Sequence, residues 1–302
     1  MKLRFVVSCA IALFVVTFGQ AATATASPLW SGSTYFVPPF HVTSYCSGNL
    51  SMVADPEGSG KQVIQMNIPD TCAPYTGSKP RADLETIPRN DTNCPCGGWG
   101  NPGDTYYFMD EVRFNSTDLP PVAGNGTSFL QFDELYGYPY GGSPITPASD
   151  ILYSGGANRF VMAFGRNYQF VGPPLDTRWH TFTYHVRFSP NSSSNVTSNQ
   201  CNPGETQTGF TQAWFDGQPV QLAGGGTGVL SNNRYTYCYQ NLVTGNNWNG
   251  GGSNSPGNFL DVNSYRAFSS STFNVPSLSL DHATAKIGAS LADVAPDIPP
   301  GS

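Results

Sequence analysis

Short segments in which apolar and polar residues alternate recur along this chain between turn-forming residues, while a 3.6-residue period is nearly absent. That pattern demands strands with one buried and one solvated face, and so an antiparallel sheet packed on a second layer. Lys61 to Ile68 alternates, Thr105 to Phe114 is aromatic-rich, and Ser128 to Tyr136 alternates again. Arg159 to Phe164 reads as a strand ending in a turn near Gly165. Trp179 to Phe188 sets Phe182, Tyr184, Val186 and Phe188 against Thr181, Thr183, His185 and Arg187. Phe210 to Phe215 runs through Asp216-Gly217, a two-residue hairpin turn, into Gln218 to Leu222. Arg234 to Gln240 places Tyr235, Tyr237 and Tyr239 on a common face. The one helix expected is short, at Ala289 to Val294.

Composition narrows the class further. The 33 Gly and 25 Pro show no period, which excludes a collagen, and 11% charged residues are too few for a coiled coil. A 13% aromatic content argues against disorder. Without clustered Lys and Arg, a nucleic-acid partner is disfavoured. The expected fold is all-β, a two-sheet antiparallel β-sandwich.

Lys2 and Arg4, the 15-residue apolar run Phe5 to Gly19 and Ala24-Thr25-Ala26 read together as a signal peptide over residues 1–26. The run is short for a membrane span, and no C-terminal apolar tail follows. A secreted single domain over 27–302, with no membrane contact and monomeric, is expected. The mature chain would carry 12 basic and 20 acidic residues. Six cysteines stay in it: Cys46, Cys72, Cys94, Cys96, Cys201 and Cys238. An even number in an oxidising compartment implies disulfide staples of open connectivity, Cys201 with Cys238 being preferred. Sequons occur at Asn49, Asn90, Asn115, Asn125, Asn191 and Asn195.

Strand parity marks the candidate site. In Arg81-Ala82-Asp83-Leu84-Glu85 the charged residues take one face, and strict alternation gives Gln131 and Asp133 a common face opposite Leu130 and Phe132. Polar strand faces of this kind, with Tyr nearby, suit a sugar polymer: rings stack on aromatic faces, and planar polar groups bind hydroxyls and carboxylates. A surface ion-pair ladder or a solvated strand face would give the same pattern. There is no nucleophile elbow, H-E-x-x-H or phosphate loop, and His occurs only at 41, 180, 185 and 282. A structural Ca²⁺ held by Asp and backbone oxygens is left open, the metal being otherwise unknown, and no other cofactor is required.

These segments, in this order, resemble those of the jelly-roll polysaccharide lyases, the group of alginate, glucuronan and heparin-lyase-I-like enzymes. Arg81 to Glu85 is similar to the family's R-x-E-type strand, and Ser128 to Asp133 to the strand carrying its Gln. Trp179 to Ser189 with Ala213-Trp214-Phe215-Asp216-Gly217 resembles its outer strand and W-x-D-G hairpin. Tyr136 to Pro144, Leu260 to Arg266 and His282 to Gly288 resemble loop and closing segments of the heparin-lyase-like subgroup.

The resemblance implies a concanavalin A-like jelly roll and β-elimination on a uronic-acid polysaccharide. Arg81 and Gln131 would neutralise the uronate carboxylate. Tyr235 or Tyr237 would serve as base and acid, ahead of the outward-facing His185. Glu85 and Asp133 would orient groups, and Asp83, Tyr239, Arg234 and Tyr136 would bind substrate. Asp133 stands where the alginate lyases keep a His, and their Tyr-Lys-Gly-Tyr strand is echoed only by Tyr239 to Asn247. Two further readings therefore stay open: a glycoside hydrolase on a β-glucan using Glu85 and Asp133 as carboxylates, or a polysaccharide-binding protein without chemistry.

Overall fold

The computed structural model describes residues 30–31, 41–45, 49–68, 81–85, 105–117, 129–136, 147–164, 167–187, 203–204, 206, 208–222, 229–231, 233–237, 259–267 and 278–302. For some of these strands, 81–85 and 259–267 among them, what is described is the backbone and its register. Cys46, Cys72, Cys94, Cys96, Cys201 and Cys238, and the segment 1–26 expected to be a signal peptide, lie outside the described residues.

Alternation produces the strands it predicts. β6 (Thr105–Phe114) coincides with its sequence segment, and β11 (His180–Arg187) begins one residue later than its own. Around them form β3 (Asn49–Ala54), β4 (Gln62–Ile68), β12 (Gly209–Phe215), β14 (Val229–Ser231), β15 (Arg234–Tyr237) and β17 (Leu278–Gly288). These make an antiparallel sheet in the order β14-β15-β12-β11-β6-β17-β4-β3, with β1 (Trp30–Ser31) on β17 and β13 (Gln218–Pro219) on β12. A seven-stranded sheet runs β10 (Asn167–Pro174), β9 (Ala157–Phe164), β8 (Pro147–Ser154), β7 (Phe129–Tyr136), β16 (Phe259–Ala267), β5 (Arg81–Glu85), β2 (His41–Tyr45).

The sheets pack through aromatic rings. Phe132 of β7 lies edge-on to Phe182 at 4.8 Å and to Phe114 at 5.6 Å, and Phe160 of β9 approaches Phe114 at 6.0 Å. All four are fully buried or nearly so, and each contributes on the order of 1.5–3 kcal/mol by leaving water. Ser149 of β8 and Tyr184 of β11 bridge the sheets with a hydroxyl pair 2.9 Å apart.

At Asp216-Gly217 both residues have positive φ, 50° and 73°, as a tight hairpin turn with the sheet's twist requires. The strand beyond, Gln218–Pro219, is shorter than alternation suggests, although the Val220 N–H still donates to the Ala213 carbonyl at 3.1 Å. The expected helix at 289–294 is one 3-10 turn, Ala292–Val294. Pro296, Pro299 and Pro300 follow it, and Ala295, preceding a proline, is extended at ψ 139°.

The C-terminal segment instead crosses the outer face of the ten-stranded sheet. There Ile298 joins Val63, Trp179 and Ala283 in a second apolar cluster. Main-chain bonds between Trp179 and both Gly301 and Ser302 tie down its end.

Candidate active site

The seven-stranded sheet sets the predicted residues in rows. Arg81 of β5 pairs with Tyr45 of β2 and Tyr265 of β16, and Tyr265 pairs with Gln131 of β7, which pairs with Asp150 of β8. Residues directly opposite one another share a face of the sheet. Arg81, Tyr265 and Gln131 therefore stand in line on neighbouring strands, spaced about 4.8 Å apart. Two rows further along β5, His41, Glu85, Asp261 and Glu134 form a second line, and Thr43, Asp83 and Asn263 lie between.

The opposite face is the one turned to the core. Ser149 and Met162, paired across β8 and β9, are fully buried, as are Ile151 and Phe160 in the next row. Leu84, Val262 and Asp133 fall in the row of Ser149.

Asp133 is the departure from strict alternation. The register shifts between Gln131 and Asp133 against both neighbouring strands, with buried Phe132 as the intervening residue. Such a bulge reverses parity beyond it. Gln131 thus lines up with Arg81, Asp133 with Leu84, and it is Glu134 that reaches the row of Glu85.

Tyr235 and Tyr237 are not brought to this row, because β15 belongs to the other sheet. Tyr235 pairs with Thr211, which is fully buried, and Tyr237 with buried Gly209. Arg234 is exposed on the outer face beside Gln212. Tyr136 closes β7 opposite Phe259, and Tyr239 lies outside the described residues. Tyr265 is the residue that sequence reasoning passed over. Its signal was the triplet Asp261, Asn263, Tyr265 on one strand parity, the pattern already read in Arg81, Asp83 and Glu85.

On the ten-stranded sheet, the described side chains form buried ionic networks that hold the scaffold. His180 stands between Asp216 (Nδ1 to Oδ2, 2.8 Å) and Asp176 (Nε2 to Oδ1, 2.9 Å). Burial pulls the imidazole pKa down, and the two carboxylates more than offset it, leaving it raised. His282 Nδ1 lies 2.9 Å from Asp110 Oδ1, both fully buried or nearly so. Burial raises the Asp281 carboxyl, against hydrogen bonds from Asn115 and Gln65. Among the described residues no three His, Cys, Asp or Glu side chains gather as a metal would need. Nor is any helix there long and apolar enough to cross a membrane.

No protein-family model matches this chain, and no curated protein matches it in sequence. In structure it is similar to an endo-β-1,4-glucuronan lyase of the fungus Trichoderma reesei, with a TM-score of 0.55 at 13% identity, over 90% of this chain and 99% of that one. It also matches the alginate lyase Aly36B, TM-score 0.40 at 11% identity over 83% and 97% of the two chains. A β-glucanase catalytic domain from Podospora anserina gives 0.42 at 12% over 82% and 85%. The first likeness shows that the chain has the two-sheet β fold of the glucuronan lyase.

Proposed function

We propose that this chain is a secreted polysaccharide lyase that cleaves a uronic-acid polymer by β-elimination. The observation that carries the reading is the row Arg81–Tyr265–Gln131 across three adjacent strands. Elimination needs the uronate carboxylate neutralised, so that the C5 proton becomes acidic. A guanidinium and a carboxamide on one face can do that. A base then takes the proton, the C5 electron pair forms the C4=C5 double bond, and O4 leaves with a proton from an acid. Tyr265, between the two carboxylate binders, is assigned both proton transfers. A free tyrosine has a pKa of about 10, and a cation from the paired register position would stabilise the phenolate. Asp83 and Asn263, in the next row along, would bind the hydroxyls of the same sugar.

The experiment is ultraviolet absorbance of the unsaturated product, with the purified mature protein mixed separately with glucuronan, alginate, heparin and pectate. Glucuronan comes first because the fold is shared with a glucuronan lyase. Rising absorbance on one polymer supports elimination and names the substrate. New reducing ends without absorbance would overturn it.

One observation favours a second reading. Glu85, Asp261 and Glu134 line up on three neighbouring strands, so carboxylates for acid/base glycoside hydrolysis share a row. On that reading Glu134, and not Asp133, accompanies Glu85, and the reducing-end assay reports it.

A further inference from the structure

The outer face of the ten-stranded sheet carries a cluster that the row on β5, β16 and β7 does not use. Tyr107, His185, Gln212 and Arg234 occupy one register row across β6, β11, β12 and β15. The Tyr107 and His185 rings are stacked 4.0 Å apart at 6°, with Trp214 6.0 Å from Tyr107. The Arg234 guanidinium sits 4.0 Å over the Phe210 ring and is itself exposed.

The polar groups are oriented as well as near. Gln212 Oε1 lies 2.9 Å from His185 Nδ1 and 3.4 Å from an Arg234 nitrogen, and Gln212 Nε2 donates to Asn233. A carboxamide oxygen can only accept, so Nδ1 carries the proton and Nε2 of the neutral ring is left as an acceptor. Burial and the Arg234 cation both hold the imidazole pKa low, which keeps that acceptor free of a proton at neutral pH. The row and the two beside it hold Arg187 and Arg234 and no Asp or Glu, in a chain whose formal charge is −6.

A cation, a neutral ring acceptor and aromatic edges on one face fit a ligand that presents a carboxylate, a hydroxyl and a ring. We propose that this face is a second, non-catalytic binding surface for an acidic oligosaccharide. Arg234 would meet the uronate carboxylate, His185 Nε2 would accept a hydroxyl, and Trp214 and Tyr107 would pack against the sugar. The proposal rests on the reading of the substrate as a uronic-acid polymer. It adds that the enzyme holds that polymer at a point away from the bond it breaks.

Native electrophoresis in gels cast with glucuronan or alginate tests it. The parent is Arg81→Ala, in which the first site is disabled. The parent should still be retarded, and adding Arg234→Gln or Trp214→Ala should weaken retardation roughly tenfold, the size of one desolvated cation or stacking contact. Arg234 is exposed, so its variant should melt with the parent and separates lost binding from lost folding. Loss of all retardation in Arg81→Ala, or outer-face variants retarded as strongly as the parent, would overturn the second surface and leave the lyase reading standing. If wild-type protein is retarded by no acidic polymer and releases no unsaturated product, both fall together.

Discussion

Glu111, fully buried on β6, accepts the backbone N–H of Ile298 at 2.6 Å. Its other oxygen accepts that of Asp297 at 3.0 Å, and Lys286 reaches Asp297 Oδ1 at 2.7 Å. One carboxylate and one ammonium therefore clamp the C-terminal segment to the sheet and hold Ile298 in its cluster with Trp179.

Burial raises the Glu111 pKa from 4.5 to about 7, against the lowering by the two N–H groups. The folded state then binds a proton that the unfolded state releases. Stability from this group is complete below the unfolded value of 4.5 and falls as pH rises to about 7. The loss should be on the order of 3 kcal/mol. Glu111→Gln removes this titration, so chemical denaturation across the interval should show a flatter pH dependence than wild type. An unchanged slope would mean that the carboxyl is ionised in the fold throughout.

His180 acts in the next interval. Its pKa is raised in the folded state, so its contribution is complete below the unfolded value near 6.5 and is lost as pH rises through the folded one. Asp176, lowered to about 2 with Arg178 and His180 outweighing burial, keeps its charge at every pH of interest. Asp216 Oδ1 also accepts the Thr181 N–H, which joins this titration to the hairpin turn. His180→Gln should abolish the decline in melting temperature that begins above pH 6.5 while leaving the Glu111 interval intact. An NMR titration of the imidazole would give the folded pKa directly.

How much of this was legible in advance depended on what each strand hides. β11 was readable because Phe182, Tyr184 and Val186 share the parity that faces the core, and β6 because aromatic residues crowd a short segment, although both of its parities are buried from Phe108 to Phe114. The hairpin at Asp216-Gly217 was readable because only such residues accept two positive φ values in succession. The bulge at Phe132 was not, since one inserted residue leaves no mark on an alternating pattern, and it exchanged Asp133 for Glu134 in the carboxylate row. Tyr265 was missed for a different reason. Its strand parity was visible, but that β16 is inserted between β5 and β7 is a matter of long-range strand order, which periodicity does not encode. The same ignorance let the tyrosines of β15 stand in for it.

The sequon at Asn115 is committed elsewhere. Asn115 Nδ2 donates to Ser279 Oγ at 2.8 Å and to Asp281 Oδ1 at 3.1 Å, while its Oδ1 accepts from Arg113. Arg113 in turn pairs with Glu57 at 2.7 Å. A glycan on Nδ2 would take one of its two hydrogens and need space inside this network. Glycopeptide mapping of the protein expressed through a eukaryotic secretory pathway should find Asn115 unmodified, and Asn115→Ala should cost about 1–3 kcal/mol through the polar groups it strands. A fully occupied site would show that the network forms differently in the glycosylated protein.

The row on the seven-stranded sheet makes the sharpest demand on kinetics. Arg81→Ala should abolish turnover on the polymer with the melting temperature nearly unchanged, because its register row lies on the face of the sheet opposite Ser149 and Phe160 of the core. Tyr265→Phe removes a single hydroxyl, and if that oxygen moves the proton, kcat should fall by about 10²–10⁴ with KM nearly constant. Tyr235→Phe, on β15 of the other sheet, should leave kcat within a factor of about two, since its strand does not carry the row. Steady-state rates for the three variants, each with a thermal melt, separate the assignments. A large loss in Tyr235→Phe with none in Tyr265→Phe would return the proton transfer to the ten-stranded sheet. A loss only in Glu134→Gln, with reducing ends as product, would hand the site to the carboxylate row.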